Sequence, residues 1–211
     1  MFVSMKKNGA ILALFALACT SVVAITHTVT KDRIAEQEQI QLLKIINQLL
    51  PEDSHDNNIF QSCKLMTNEA LLGTAEPQRV FTATKLDETV GYAIEGIAPA
   101  GYNGNIKLVV GIDTLGKVTG VRILGHNETP GLGDKVEYRK SNWLDDFVDQ
   151  TLTTENAHTW AVTKDGGDFD SFTGATITPR AVVSSVKDIL TFYQSVQFSD
   201  LQSAPSCWSK S

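Results

Sequence analysis

The sequence predicts an α+β protein: an N-terminal transmembrane helix, followed by one domain in which an antiparallel sheet is packed by helices. Three observations predict it. An uncharged apolar run stands near the start, between Gly9 and Val29; short segments rich in β-branched residues and bounded by turn residues follow one another through the middle; and an apolar stripe at helical spacing lies near the C-terminus. At 211 residues the chain has room for one compact domain besides the anchor. Only a short serine-rich stretch at the C-terminus looks like low-complexity sequence.

The run from Gly9 to Val29 matches the roughly 20 residues needed to cross a hydrocarbon core of ~30 Å. Lys6 and Lys7 precede it, and the positive-inside tendency keeps that end in the cytoplasm and places the domain outside. A cleaved signal peptide is the competing reading, since Ala16-Leu17-Ala18 has small-x-small form and Cys19 follows. Against it, the apolar run continues through Ser21-Val22-Val23-Ala24-Ile25, so cleavage would leave a greasy mature end, and a lipoprotein signal prefers Leu where Ala16 stands. An uncleaved anchor explains more.

From Lys31 to Leu50 the residues Leu42, Leu43, Ile46, Leu49 and Leu50 recur at helical spacing and Pro51 ends the pattern, which predicts an amphipathic helix continuing the anchor outward. Its stripe is available to the domain or to another protein. Residues 51–78 show no period and read as a loop with one helical turn. Strands are expected at Val80–Thr84, Thr89–Ile97, Ile106–Ile112 and Val118–Leu124, with Asp113-Thr114-Leu115-Gly116 as a hairpin connection and antiparallel neighbours throughout. Trp143–Leu152 reads as a helix with Trp143, Leu144, Phe147 and Val148 on one face. The last helix starts at Thr178 as cap with Pro179 in the first position, carries Val182, Val183, Val186, Ile189, Leu190 and Tyr193 on its apolar face, and runs to Val196.

Beyond Lys6 and Lys7 the chain holds all 24 acidic residues against 16 basic ones. That surface repels phosphate backbones, and no Lys/Arg stripe with interleaved aromatics offsets it, so nucleic-acid binding is excluded. Cys19, Cys63 and Cys207 form no C-x-x-C, so iron–sulfur and structural zinc sites lack a ligand set. Cys63 and Cys207 are either a disulfide or two free thiols. His126 and Glu128 lack a third metal ligand, and His126 reads as a structural hydrogen-bonder.

Two segments carry the chemistry. Asp170-Ser171-Phe172-Thr173-Gly174-Ala175-Thr176 stands just ahead of the last helix, where unpaired N–H groups and the helix dipole favour an anion. Gly174 gives the backbone freedom, Ala175 leaves space, and Gly166 and Gly167 are expected to add flexibility. No base or histidine is evident near Thr176, so its hydroxyl is not a self-activated nucleophile and the chemistry must come from outside. The second segment, Glu128-Thr129-Pro130-Gly131-Leu132-Gly133, follows a strand. There Pro130 stiffens a turn, Gly131 and Gly133 let main chain approach a flat ring, Leu132 lies on its face, and Glu128 and Thr129 offer polar groups to its edge. Gly131-Leu132-Gly133 is no dinucleotide fingerprint, lacking the third glycine and a βα unit. Tyr102, in the turn Gly101-Tyr102-Asn103-Gly104, either stacks on a ring or is an ordinary exposed turn tyrosine.

The first segment fits D-x-x-[S/T]-G-A-T, and the second, about forty residues upstream, matches E-T-P-G-L-G. With the anchor, they make the chain resemble the covalent-FMN subunits of ion-translocating redox complexes, the RnfG/NqrC family, and within it the RnfG members that serve the Rnf electron transport complex. The resemblance implies FMN bound as a phosphodiester to Thr176, with Asp170, Thr173, Gly174 and Ala175 as attachment signal and Glu128, Thr129, Gly131, Leu132 and Tyr102 around the flavin. A separate Mg-dependent flavin transferase would load it from FAD. The resemblance also implies the bacterial inner membrane with the C-terminal domain periplasmic, sibling subunits of an Rnf-type complex as partners, coupling to Na⁺ or H⁺, and a one-electron relay with no catalytic residue of its own. The expected division is 1–8 cytoplasmic, 9–29 transmembrane, 30–78 amphipathic helix and linker, 79–197 FMN-binding domain and 198–211 tail. The NqrC members, which serve the Na⁺-translocating NADH:quinone oxidoreductase, share both motifs but are expected to be longer. A flavin-free membrane-tethered scaffold and a free-standing periplasmic flavin carrier are further readings of the same chain.

Overall fold

The computed structural model describes residues 2–196 and 198–208; Met1, Gln197 and residues 209–211, which fall at the ends of the expected segments, lie outside them. The apolar run and the amphipathic segment form one helix, α1 (Phe2–Leu49), long and apolar enough to cross a membrane. Three of its hydroxyls are compatible with that setting, because Thr20, Thr26 and Thr30 bond back to the carbonyls of Ala16, Val22 and Thr26. The chain divides into two compact units, one ending at Leu43 and one starting at Lys44.

The second unit is built on five antiparallel strands in sequential order: β1 (Lys64–Met66), β2 (Gln78–Lys85), β3 (Glu88–Gly101), β4 (Gly104–Asp113) and β5 (Val118–Gly125). Short connections dictate the meander. Leu86 and Asp87, at φ 52° and 65°, turn β2 into β3 in two residues. The Asp113 carboxylate accepts the N–H groups of Leu115 and Lys117 at 2.9 and 2.8 Å and closes the β4–β5 turn. The four expected strands all form, each somewhat longer than expected. β1 lies in the stretch expected to be loop, and its three residues are too few to show a period.

Both sheet faces are covered. Helix α3 (Ile177–Ser195) packs on one, where Ile94, Ile106, Leu108, Val110 and Ile112 meet Val182, Val186 and Ile189 in the main core. The fit is close at Gly96, where a Cβ would lie 2.8 Å from Ile189 Cδ1. The other face receives the last turn of α1: a Cβ on Gly111 or Gly120 would come within 2.8 Å of Leu49, and one on Gly91 within 2.9 Å of Leu50. The β1 edge is closed by the C-terminal segment after helix α4 (Phe198–Ser203). Leu65 N–H donates to Pro205 O, Lys64 bridges Ser206, and Cys63 and Cys207 form a disulfide. Trp208 stacks on Phe60 with ring centroids 4.0 Å apart. The expected tail thus caps an otherwise open sheet edge. Helix α2 (Glu69–Leu72), a single turn capped by the Asn68 side chain, is the turn expected in the 51–78 stretch.

The expected helix over Trp143–Leu152 is corrected. Only a 3-10 segment, Trp143–Phe147, forms there, burying Trp143, Leu144 and Phe147. Beyond it Asp149 has φ 68°, and residues 149–151 attach to the free edge of β5 through Asp149 N–H to Val118 O, Val118 N–H to Gln150 O and a Lys117–Thr151 bridge. An available strand edge satisfies those backbone groups in place of a helix.

Candidate functional site

The site forms where the loop after β5 meets the start of α3. Thr129-Pro130-Gly131-Leu132 is a tight turn closed by Leu132 N–H to Thr129 O at 3.1 Å, with proline second and Gly131 third at φ 79°, as a type II turn requires. The turn directs Leu132 outward. Gly133 is buried, and a Cβ there would stand 2.5 Å from Glu128 Oε2 and 2.7 Å from Thr178 Oγ1. Only glycine leaves room for those two side chains to meet.

Glu128 is 5% exposed. One of its oxygens accepts Asn103 N–H at 3.1 Å and the other accepts the Thr178 hydroxyl, so its carboxylate ties the β3–β4 turn to α3. Its own N–H donates to His126 Nδ1 at 2.9 Å, and His126 Nε2 lies 3.1 Å from Glu137 Oε1. Lys140 sits 2.8 Å from both Asp134 and Glu137, and this ammonium holds both carboxyls below their usual range. The loop therefore rests on a fixed polar base. His126 is a hydrogen-bonder within it, and no group of three metal-ligating side chains occurs among the described residues.

Helix α3 begins earlier than its sequence predicts. Thr176 is the N-cap, Arg180 N–H makes the first helical bond back to Thr176 O, and Pro179 stands third in the helix. A capping threonine normally accepts from the second or third helical N–H. Here the third residue is proline, and Thr176 makes no side-chain cap bond. Among the described residues its hydroxyl donates no hydrogen bond. Thr178, expected as the cap, is instead buried in the first turn and spends its hydroxyl on Glu128.

One further expectation is corrected. Gly166 and Gly167 do not loosen the attachment segment: Gly166, at φ 86°, ends a 3-10 turn (Thr163–Asp165), and Gly167 packs so tightly on the Ala161 backbone that a Cβ has no space. Thr176 has a charged neighbour, Lys164, whose Nζ donates to Thr176 Oγ1 at 2.7 Å; an ammonium is a donor and not a base. The segment between them is anchored by Trp143, whose Nε1–H donates to Asp170 O at 2.8 Å and whose ring meets Phe172 edge-on at 5.2 Å.

A cavity of about 280 Å³ lies between these parts, lined by residues that include Tyr102, Glu128, Thr129, Leu132, Gly174, Ala175 and Thr176. Seven of the ten expected site residues are thus gathered around one space. Gly131 shapes the turn, Thr173 is exposed, and Asp170 contributes its carbonyl to Trp143; none of these three lines the cavity. Sequence reasoning did not single out Ile177 or the cavity role of Thr178, both of which line it. Their place one and two positions past Thr176, in the first turn of α3, was the available signal. Tyr102 stands 67% exposed and Leu132 43% exposed at the rim, with the space for a flat ring between loop and helix start.

Residues 101–191 match the FMN-binding domain family and residues 1–49 match the RnfG N-terminal region. Together with the cavity, these define the class: an FMN-binding domain carried behind one helix of membrane-crossing length. The chain is 49% identical over 205 residues to the G subunit of the ion-translocating oxidoreductase complex of Aliivibrio fischeri, covering 97% of each chain. It is 52% identical over 193 residues to the G subunit of Shewanella baltica, covering 92% of this chain and 91% of that one, and 50% identical over 206 residues to that of Shewanella oneidensis, covering 98% and 97%. The chain belongs to the RnfG family, the G subunits of ion-translocating oxidoreductase complexes.

Proposed function

We propose that this chain, an electron-transfer subunit of an ion-translocating oxidoreductase complex, holds its FMN as a phosphodiester on Thr176 and presents it outside the cytoplasm. The observation that carries the reading is the Thr176 hydroxyl at the wall of the cavity, its oxygen held by Lys164, on a helix start whose first N–H groups have no partner within the helix. FMN supplies reversible one-electron chemistry when bound. The protein positions it: Leu132 and Tyr102 bound the ring space, Glu128 holds the loop to α3, and Thr129 offers a polar group at the edge.

Attachment balances as a phosphoryl transfer from FAD. The Thr176 oxygen forms a bond to the FMN phosphorus, the pyrophosphate P–O bond breaks, AMP leaves with the electron pair, and the hydroxyl proton is released to a base. A flavin transferase supplies that base and Mg²⁺. The outward orientation rests on Lys6 and Lys7 before the anchor and on the Cys63–Cys207 disulfide, a bond favoured in oxidising compartments. Its partners are the sibling subunits of the complex. The close likeness to RnfG relatives over nearly the whole chain favours this reading over a place in the Na⁺-translocating NADH:quinone oxidoreductase.

Co-expression with a flavin transferase tests it. Wild type should give a fluorescent band that survives denaturation and maps to the Thr176 peptide by mass spectrometry, while Thr176→Val stays dark. An unmodified wild type beside a transferase that labels a control substrate would return the chain to the flavin-free scaffold.

A further inference from the structure

We infer that Lys164 is the counter-ion built for the phosphodiester on Thr176, orienting the hydroxyl before attachment and holding the phosphoryl oxygens after it. The inference rests on the attachment proposed above. Lys164 Nζ lies 2.7 Å from Thr176 Oγ1 and, among the described residues, makes no salt bridge with a carboxylate. Its neighbour Asp165 feels its charge, but Arg180 takes that carboxylate in a two-pronged contact, with Nη2 to Oδ1 at 2.9 Å. The cation beside the acceptor is thereby left for the threonine.

The support is rigid. Thr163 N–H donates to Phe169 O at 2.7 Å, Asp165 and Gly167 N–H both return to Val162 O, and Gly167 leaves no room for the loop to shift against Ala161. Arg180 belongs to the first turn of α3, so its grip on Asp165 fixes Lys164 relative to Thr176. An ammonium donates and cannot accept. It therefore engages the lone pairs of Thr176 Oγ1 and turns the O–H toward an incoming base. Once the oxygen is esterified, the same ammonium faces a monoanion in a domain whose surface is otherwise acidic.

The test loads the full chain in detergent with purified flavin transferase, FAD and Mg²⁺, comparing wild type, Lys164→Met, Lys164→Gln, Lys164→Arg and Thr176→Val. Loss of an exposed charged hydrogen bond should slow initial loading about fivefold in the Met and Gln variants, and arginine should restore it. The ³¹P resonance of the loaded protein should move in Met and Gln and stay near wild type in Arg, while the melting temperature is unchanged. Wild-type loading and an unmoved resonance in Lys164→Met would overturn the role of Lys164 and leave attachment standing. Failure of arginine to rescue either readout would overturn it too. Failure of wild type to load would remove the attachment itself and the Lys164 role with it.

Discussion

Thr178→Val is the most informative single change to the fold of the site. Valine keeps the shape of threonine and deletes one hydroxyl, so no cavity opens, yet the buried Glu128 carboxylate loses one of its two donors. A buried charged acceptor left unsatisfied costs about 2–3 kcal/mol. For a domain of this size each kcal/mol moves the melting temperature by roughly 2–4 °C, giving a drop of about 4–12 °C. The assay is urea and thermal unfolding of the full chain in detergent, followed by tryptophan fluorescence, with Glu128→Gln and the double variant completing a cycle. In the Glu128→Gln background the cost should fall to about 1 kcal/mol, since a neutral acceptor loses less. A cost below about 0.5 kcal/mol, or one unchanged by Glu128→Gln, would refute the view that this contact holds the loop to α3.

Three other outcomes follow from the packing. Cys207→Ala, which opens a bridge with a sequence separation of 144, should lower stability by about 3–5 kcal/mol in urea unfolding, with Cys63 becoming reactive to thiol reagents. Leu49→Ala, which removes the side chain lying over Gly111 and Gly120, should cost about 2–4 kcal/mol by the same assay. Burial raises the Glu95 carboxyl above its ordinary 4.5 despite Arg79 at 2.8 Å, so its favourable contribution to folding is present when protonated and is lost as pH climbs through the folded value. Glu95→Gln should therefore be more stable than wild type at about pH 7, with the gain disappearing below pH 4.5, as read from melting temperature against pH.

The fold was legible where local chemistry and tertiary need agree. β3 and β4 are rich in β-branched residues, their turns carry Asp113 and glycine, and α3 shows its apolar stripe, so strands and last helix stand close to where the sequence puts them. Trp143 to Leu152 failed because its apolar spacing is satisfied by a short 3-10 turn, while the fate of residues 149–151 depends on a distant strand edge. The site divides the same way. The turn at Pro130-Gly131 and the attachment segment are contiguous motifs, visible in the sequence itself. Lys164 lies 12 residues from Thr176, and its approach depends on Arg180 taking Asp165, a three-way arrangement with no periodic trace. The K-D-G-G stretch ahead of the attachment segment, a cation followed by a glycine turn, was the available signal.

The disulfide also has a meaning in time. Cys207 lies beyond every strand and every helix described, whereas Cys63 immediately precedes β1. In the outward orientation proposed above, a chain threaded from its N-terminus presents the first sulfur early and the second only after the whole sheet, the attachment segment and both last helices have emerged. Closure of the bond thus waits for everything between the two cysteines: a polypeptide interrupted anywhere in that interval keeps a thiol at Cys63 that has no partner to take.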